Sequence, residues 1–280
     1  MEPELVISAI TEPPRDGIEK HLIEDVLTIV LNSDTQSLIN YWGATNFNKD
    51  KIGEDYLMII IDVVRSLMKS NHHRCKYLEQ EKIIEKEILE INKNLDSGVP
   101  IVYERPDLIS EVDGFLIQLK SALDSLAKSL NPIFNLKING WHKGTRKGSK
   151  TQESGVKIIN ALNNLAPELK NKAVDLIYFI EDNIKYISAI VLLRDRPVHH
   201  GKIKNIQGFV YRIKEKRLIK PKLVLKDGSI YISEFLETTI KNLINFTELI
   251  IVNTLKNLEP NICLAKGNDG RFSWCGNFGN

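Results

Sequence analysis

Cysteine is scarce in this 280-residue sequence, and the few cysteines lie far apart. Cys75, Cys263 and Cys275 form no CxxC pair, so no zinc-site spacing is present. Their odd number does not indicate a disulfide framework, and such usage is typical of proteins from a reducing compartment. The Gly-rich phosphate-binding loop ending in Gly-Lys-Ser/Thr, the GxGxxG turn and the GxSxG elbow are also missing, which leaves NTPase, dinucleotide-binding and hydrolase activities without support. We therefore expect neither a metal nor a cofactor.

Long apolar runs are missing as well. The longest, near residues 57–64 and 187–193, fall well short of the roughly 20 residues that a helix needs to cross a bilayer. The acidic, proline-containing N-terminus lacks the basic-then-apolar order of a signal peptide. A large net charge is missing too, because 38 Lys and Arg residues face 36 Asp and Glu residues. The sequence predicts a soluble, cytoplasmic protein with no membrane partner, in which any binding to a polyanion depends on local basic patches.

What the sequence does contain is helical periodicity over most of its length. Strong helix formers, with apolar residues spaced three and four apart, predict a series of helices. They cover residues 17–31, 54–95, 110–130 and 155–165, a long segment from Pro167 or Glu168, and residues 234–258, where Ser233 would act as the N-cap. Residues 54–95 form either one very long helix or two helices in line. The Asn-, Gly- and Asp-rich segment 32–53 is expected to be loop-like.

Beyond residue 206 the pattern changes from helical to alternating. Residues 209–214 and 222–225 alternate like strands, and Asp227–Gly228 is placed as a hairpin turn. The predicted fold class is mainly α, a helical bundle with a small β-hairpin insertion before the last helix. The predicted division of the chain is an N-terminal arm and short helix at 1–52, a helical domain at 53–258 that includes the β insertion at about 206–232, and a flexible tail at 259–280.

An apolar stripe runs along the helix that starts near Pro167. Its members are spaced alternately four and three residues apart: Ala173, Ile177, Ile180, Ile184, Ile187 and Val191. The next position in the same rhythm is Arg194, which puts a guanidinium where the pattern requires a buried aliphatic residue. Because an unpaired buried charge is costly, Arg194 must be paired or must face a polar crevice.

The helix is expected to kink or end directly after Arg194. Pro197 lacks a backbone donor and disfavours helical geometry at Arg196, and Gly201 permits a sharp exit. Such a break would swing His199 back beside Arg194, which a straight helix would not do at a spacing of five residues.

An arginine and a histidine that converge in a crevice suit phosphodiester chemistry. The planar guanidinium matches phosphate oxygens, and the imidazole exchanges a proton near neutral pH. In RNA the adjacent 2′-hydroxyl can attack, so neither a metal nor an external nucleophile is required. The products would be a cyclic phosphate and a free 5′-hydroxyl.

The segment LRDRPVHHG resembles the motif of the HEPN superfamily, in which an Arg, often followed by a polar residue, precedes a His by four to six positions. Here the matching residues are Arg194, Asp195 and His199, with His200 also within the spacing. HEPN proteins are helical bundles, commonly dimeric, and many are metal-independent ribonucleases of toxin–antitoxin and phage-defence systems. The resemblance implies an RNA-cleaving homodimer that joins through the Arg194–His199 region, with an antitoxin or regulatory protein as a further partner.

The resemblance also implies a role for each matching residue. Arg194 would bind the scissile phosphate, and His199 would act as general acid or base. His200 would share that role, and Asp195 would orient the site.

Two locally basic stretches suit RNA phosphates, and an aromatic side chain among them would suit an unstacked base. Residues 137–157 include Trp141 and His142, and residues 202–222 begin directly after the motif. The RNA-binding candidates are Arg196, Lys202, Lys204, Lys143, Arg146 and Lys147. The alternative for each stretch is an ordinary solvated surface.

A second interpretation of the motif is structural. Arg194 would pair with a buried acid, for which Asp124 is one candidate, and the histidines would cap a helix end, where cations are favoured. The protein would then be a catalytically inactive helical module that binds a protein or RNA partner. The adjacent His72 and His73 are interpreted as surface residues, because neighbours on a helix point in different directions.

Overall fold

The structure is a computed structural model of the chain. It describes residues 31, 35, 39, 51–141, 154–200, 206–225, 228–255, 264–266 and 272–274, with the backbone alone for residues 51, 195–200, 225, 264–266 and 272–274. In these residues the fold is mainly helical with small antiparallel sheets, which confirms the predicted class at that level. None of the helices in the described part of the chain is both long and apolar enough to span a membrane.

The described helices are α1 (Lys51–Asn92), α2 (Pro106–Lys128), α3 (Leu130–Phe134), α4 (Val156–Asn163), α5 (Pro167–His200) and α6 (Ile232–Leu255). The described strands are β1 (Ile101–Tyr103), β2 (Ile206–Gln207), β3 (Phe209–Arg212), β4 (Arg217–Ile219), β5 (Lys222–Leu225), β6 (Gly228–Tyr231), β7 (Leu264–Lys266) and β8 (Phe272–Trp274).

Helix α1 is a single element of 42 residues, which is the first of the two arrangements that the sequence left open for this segment. It ends at Asn92, whose side-chain amide donates to the carbonyl oxygen of Ile88 at 2.6 Å and to the hydroxyl of Tyr103 at 2.7 Å. Helix α2 begins at Pro106, four residues earlier than predicted, because proline is well suited to the first helical position.

Four long helices pack side by side around one core. The hydroxyl of Ser70 in α1 donates to the carbonyl oxygen of Phe115 in α2 at 3.2 Å. Phe179 in α5 stacks on Phe246 in α6 with 5.3 Å between ring centroids. The shared core contains side chains that are at most 1% exposed: Leu67, Phe115, Leu119, Ile180, Leu243 and Ile251. Full burial stabilises each such side chain by roughly 1.5–3 kcal/mol, so this packing holds the bundle together.

The β insertion is larger than the single hairpin predicted. One sheet has the order β1–β3–β4 and recruits β1 from the connection between α1 and α2, and a second sheet has the order β2–β5–β6. Phe209 and Tyr211 of β3 are buried against the bundle. The predicted hairpin forms, because β5 and β6 pair antiparallel, but the turn predicted at Asp227–Gly228 is one residue too late, since Gly228 belongs to β6 and pairs with Leu225.

Several predicted boundaries are wrong. Thr35 and Ile39 are helical and buried, and α1 already starts at Lys51, so segment 32–53 is not loop throughout. Helix α6 starts at Ile232, which puts Ser233 inside its first turn instead of at the N-cap. The predicted flexible tail contains the paired strands β7 and β8, although the pairing does not measure its mobility. The predicted helix 17–31 lies outside the described residues except for Leu31.

Candidate functional site

The stripe predicted along α5 is confirmed by burial. Ala173, Ile180, Ile187 and Val191 are 0% exposed. The remaining two members, Ile177 and Ile184, are buried and partly buried against the same core. Arg194 follows in the same rhythm and is half-buried, so its side chain lies between the core and the solvent.

Two contacts fix α5 shortly before Arg194. The hydroxyl of Tyr186 donates to the carbonyl oxygen of Thr239 in α6 at 3.2 Å, and burial raises the pKa of this phenol. The hydroxyl of Ser188 accepts from the backbone N–H of Ser154 at 2.8 Å, which ties α5 to the residues that precede α4. These contacts attach the part of α5 just before Arg194 to α6 and to the residues that precede α4.

The contacts between α5 and α6 also locate Arg194 in the bundle. Phe179 lies against Phe246, and seven residues further along α5 Tyr186 lies against Thr239, so the two helices run antiparallel. The same register places position 193 opposite position 232, where α6 begins. Arg194 therefore lies at the end of the bundle at which the β insertion joins α6.

The prediction that the helix ends directly after Arg194 is wrong, because α5 continues through Pro197 to His200. Proline is compatible with helical φ and removes one hydrogen bond, here close to the helix end. On a continuous helix, positions 194 and 199 lie about 140° apart around the axis, and positions 194 and 200 about 120° apart. The local backbone of one chain therefore does not bring Arg194 to either histidine. Positions 195, 196, 199 and 200 all lie on the last turns of α5, and their side chains are outside the described residues.

The first basic stretch is described only at its ends. Lys143, Arg146 and Lys147 lie outside the described residues, whereas Lys137 and Lys157 are exposed. The prediction that Trp141 could stack on a base is wrong, because its side chain is 1% exposed. It packs edge-to-face on Phe246 with 5.8 Å between ring centroids.

The second basic stretch is partly neutralised by acids from elsewhere in the chain. Lys202 and Lys204 lie outside the described residues. Lys216 pairs with Asp96 at 3.1 Å, and Arg212 pairs with Glu215 at 3.2 Å. Lys220 reaches two carboxylates of α1, at 2.9 Å for Glu85 and 3.5 Å for Glu81. The described part of this stretch is therefore less cationic than its local sequence indicates.

Asp124 has structural partners. Its carboxylate accepts from the ammonium of Lys120 at 2.5 and 2.6 Å and from the backbone N–H of Trp141 at 2.8 Å. These contacts use Asp124 to anchor the chain after α3. They give no support to Asp124 as the acid that would pair with Arg194.

A polar cluster that the sequence did not reveal joins α1 to the β insertion. Glu81 is 3% exposed and accepts a hydrogen bond from the hydroxyl of Tyr77 at 3.3 Å. Burial raises the pKa of Glu81, and the charge of Lys220 and the Tyr77 bond partly oppose the increase. Tyr77, Glu81 and Glu85 share one helical face at spacings of four, which is the only sign of the cluster in the sequence. Nothing local connects them to Lys220.

His73 is held at the interface between α1 and α2 with its side chain 30% exposed, so it lies only partly at the surface. Its Nδ1 lies 2.7 Å from a carboxylate oxygen of Glu111. Its ring covers Gly114, where an added Cβ would lie 2.5 Å from the imidazole. Among the side chains that the structure describes, no group of three or more His, Cys, Asp or Glu residues is placed to hold a metal ion.

Comparisons with protein-family models, curated protein sequences and solved structures found no match. The resemblance of LRDRPVHHG to the HEPN motif therefore depends on the motif residues and the helical fold. The function must be inferred from the chemistry of this chain.

Proposed function

We propose that this protein is a metal-independent endoribonuclease of the HEPN type that acts as a homodimer and belongs to a toxin or phage-defence system. The observation that carries the proposal is the position of Arg194. It continues the buried stripe of α5, is half-buried at the end of the bundle, and is followed on the same helix by His199 and His200. A cation in that position lies between the apolar core and the solvent.

In the proposed reaction, the guanidinium of Arg194 binds the non-bridging oxygens of the scissile phosphate and stabilises the charge that develops on them. A histidine takes the proton from the RNA 2′-hydroxyl as the bond from O2′ to phosphorus forms. A protonated histidine gives a proton to O5′ as the bond from phosphorus to O5′ breaks. His199 fills this role with His200 as its partner, and Asp195 orients the site.

In the proposed dimer, a second copy of the chain supplies the histidine that one continuous helix does not bring beside Arg194. Because positions 194 and 199 lie about 140° apart on α5, each chain presents its Arg and its His on different sides of the helix. Two copies packed about a two-fold axis at the ends of α5 would place the arginine of each copy beside the histidine of the other. Arg196, Lys202, Lys204, Lys143, Arg146 and Lys147 remain the proposed contacts for RNA phosphates outside the scissile position.

The test is cleavage of a mixed fluorogenic RNA in excess chelator. We expect wild type to leave cyclic-phosphate ends, and Arg194→Ala and His199→Ala to lose roughly a hundredfold or more in rate. Arg105→Ala is the matched control, because it removes a guanidinium that lies outside both basic stretches, with its side chain 35% exposed, and should cleave like wild type. Equal cleavage by all four proteins would assign the activity to another site or to a contaminant.

Mixing the two inactive variants tests whether the site is shared between copies. If each site combines the arginine of one copy with the histidine of the other, a heterodimer of one Arg194→Ala chain and one His199→Ala chain retains one intact site. An equal mixture that exchanges subunits should then recover about one quarter of wild-type activity. If each site lies within one chain, no activity returns on mixing.

The second candidate function is a catalytically inactive module that binds a protein or RNA partner. The observations that favour it are the neutralisation of Lys220 by Glu81 and Glu85 and the burial of Trp141, which reduce the surface suited to RNA. A folded dimer that binds a partner tightly and cleaves none of several RNAs would favour this function.

A further inference from the structure

Strand β1 has one open edge in the part of the chain that the structure describes. It pairs with β3 through Ile101, Val102 and Tyr103, and it lies at the end of the sheet order β1–β3–β4. An open edge presents unpaired backbone N–H and C=O groups, which another strand can use. The short length of β1 limits this edge to a few hydrogen bonds.

The outward face of this sheet carries an apolar row. Val102 lies directly beside Val210, and Val210 lies directly beside Ile219, so the three side chains share one face. The opposite face carries the buried Phe209 and Tyr211. Val102 at the open edge is 60% exposed, and Val99 just before the strand is 78% exposed. The apolar row therefore ends at the open edge with its most exposed member.

The charges around this edge balance. Residues 87–107 and 209–219 together contain as many basic as acidic side chains: Lys93, Arg105, Arg212, Lys214, Lys216 and Arg217 against Glu87, Glu90, Asp96, Glu104, Asp107 and Glu215. Several of them neutralise one another directly, as in Arg105 with Glu87 and Lys216 with Asp96. A balanced surface does not attract a polyanion. In a two-fold contact the same surface of both copies meets, so a surface with a net charge of either sign would repel the other copy. A balanced surface avoids this repulsion and therefore suits a two-fold contact.

We propose that β1 is a self-association strand that pairs antiparallel with β1 of a second copy about a two-fold axis through Val102. The two sheets then form one sheet of six strands, in the order β4–β3–β1–β1–β3–β4. The two copies of Val102 become cross-strand neighbours at the centre, and the apolar row continues from one copy to the other. This interface is independent of the proposed ribonuclease activity and uses a different segment from the proposed contact at the end of α5.

The first experiment measures the mass of the full-length protein in solution by light scattering. Val102→Lys, which puts a charge on the pairing edge, should lower the mass to that of a dimer if the α5 contact also forms and to that of a monomer if it does not. Val224→Lys is the matched control, because Val224 is 42% exposed in β5, which is already paired on both edges. An unchanged mass for Val102→Lys would overturn the proposal, whatever the cleavage assays show.

The second experiment tests the register by disulfide formation, with the three native cysteines replaced by serine. With Val102→Cys the two thiols lie on directly opposed residues, whose Cα atoms are about 4.5–5.5 Å apart, within disulfide range. With Val210→Cys the two sites are three strand spacings apart, about 14 Å, which is too far. We expect mild oxidation to give covalent dimers of Val102→Cys at least about tenfold faster than of Val210→Cys. Equal oxidation rates for the two variants would contradict the proposal. So would a protein that is monomeric because something other than a second copy covers the edge of β1.

Discussion

The carboxylate of Asp124 in α2 accepts a hydrogen bond from the backbone N–H of Trp141 at 2.8 Å and thereby fixes the point at which the Trp141 side chain enters the core. The same carboxylate pairs with Lys120, whose side chain is 6% exposed. Gly140, with φ of +145°, allows the close approach, because a Cβ at this position would collide with the carboxylate. One acid thus neutralises a buried ammonium and anchors the chain between α3 and α4.

Replacement of Asp124 by Ala should lower the free energy of unfolding by about 2–3 kcal/mol, because it leaves the ammonium of Lys120 buried and unpaired. Adding Lys120→Met should recover part of the loss, because it removes that ammonium. Urea denaturation measures both changes, with the exposed Lys128→Ala on the same helix as a control expected to stay within about 0.5 kcal/mol of wild type. A larger loss in the double variant than in Asp124→Ala would contradict the expected role of the pair.

Gly155→Ala should be more destabilising than Gly228→Ala. Both glycines have positive φ, of +101° and +149°, so alanine is strained at either position. At position 155 the new Cβ would also lie 2.5 Å from the ring of Trp141, whereas at position 228 it would meet no atom within 4 Å. We expect the difference in the free energy of unfolding to be about 1–3 kcal/mol, because only the first variant overpacks the core. Equal losses in thermal or urea denaturation would show that the ring moves aside at little cost.

Trp141 should report a buried environment whether or not RNA is present. In a variant with Trp42 and Trp274 replaced by Phe, its emission should be blue-shifted and poorly quenched by iodide, because its side chain is 1% exposed. Titration with RNA should leave both properties unchanged. Emission typical of a solvated indole, or strong quenching by a stacked base, would restore the prediction that Trp141 contacts RNA.

Glu81 should oppose folding increasingly as the pH rises. Because burial raises its pKa above the ordinary value, the native state holds this proton over a pH range in which the unfolded state has released it. In that range the unfolded state binds fewer protons, so the contribution of Glu81 to stability falls with increasing pH. We therefore expect the free energy of unfolding of wild type, relative to that of Glu81→Gln, to decrease as the pH rises above the ordinary pKa of a carboxyl group. A difference that stays constant with pH would contradict this role of Glu81.

The α5 stripe and the hairpin were predictable because each depends on local periodicity. Apolar steps of four and three residues place Ala173 to Val191 on one helical face whatever the rest of the fold, and Asp227–Gly228 predicts a hairpin within one residue of the observed connection between β5 and β6. The end of the helix after Arg194 was predicted on equally local grounds and is wrong, because a proline near a helix end removes a single hydrogen bond.

The sequence by itself determined the mainly helical class, the stripe that leads to Arg194, the motif residues and the β5–β6 hairpin, because propensity and periodicity act over a few residues. Only the tertiary structure decided that Trp141 is buried, that Asp124 accepts a hydrogen bond from the backbone of Trp141, that Lys220 reaches Glu81 and Glu85, and that β1 joins β3 with an open edge. Each of these pairings joins residues on different elements or turns, and the packing of the elements determines which side chains meet. Composition and spacing along one segment contain no information about which residues of other segments lie close to it.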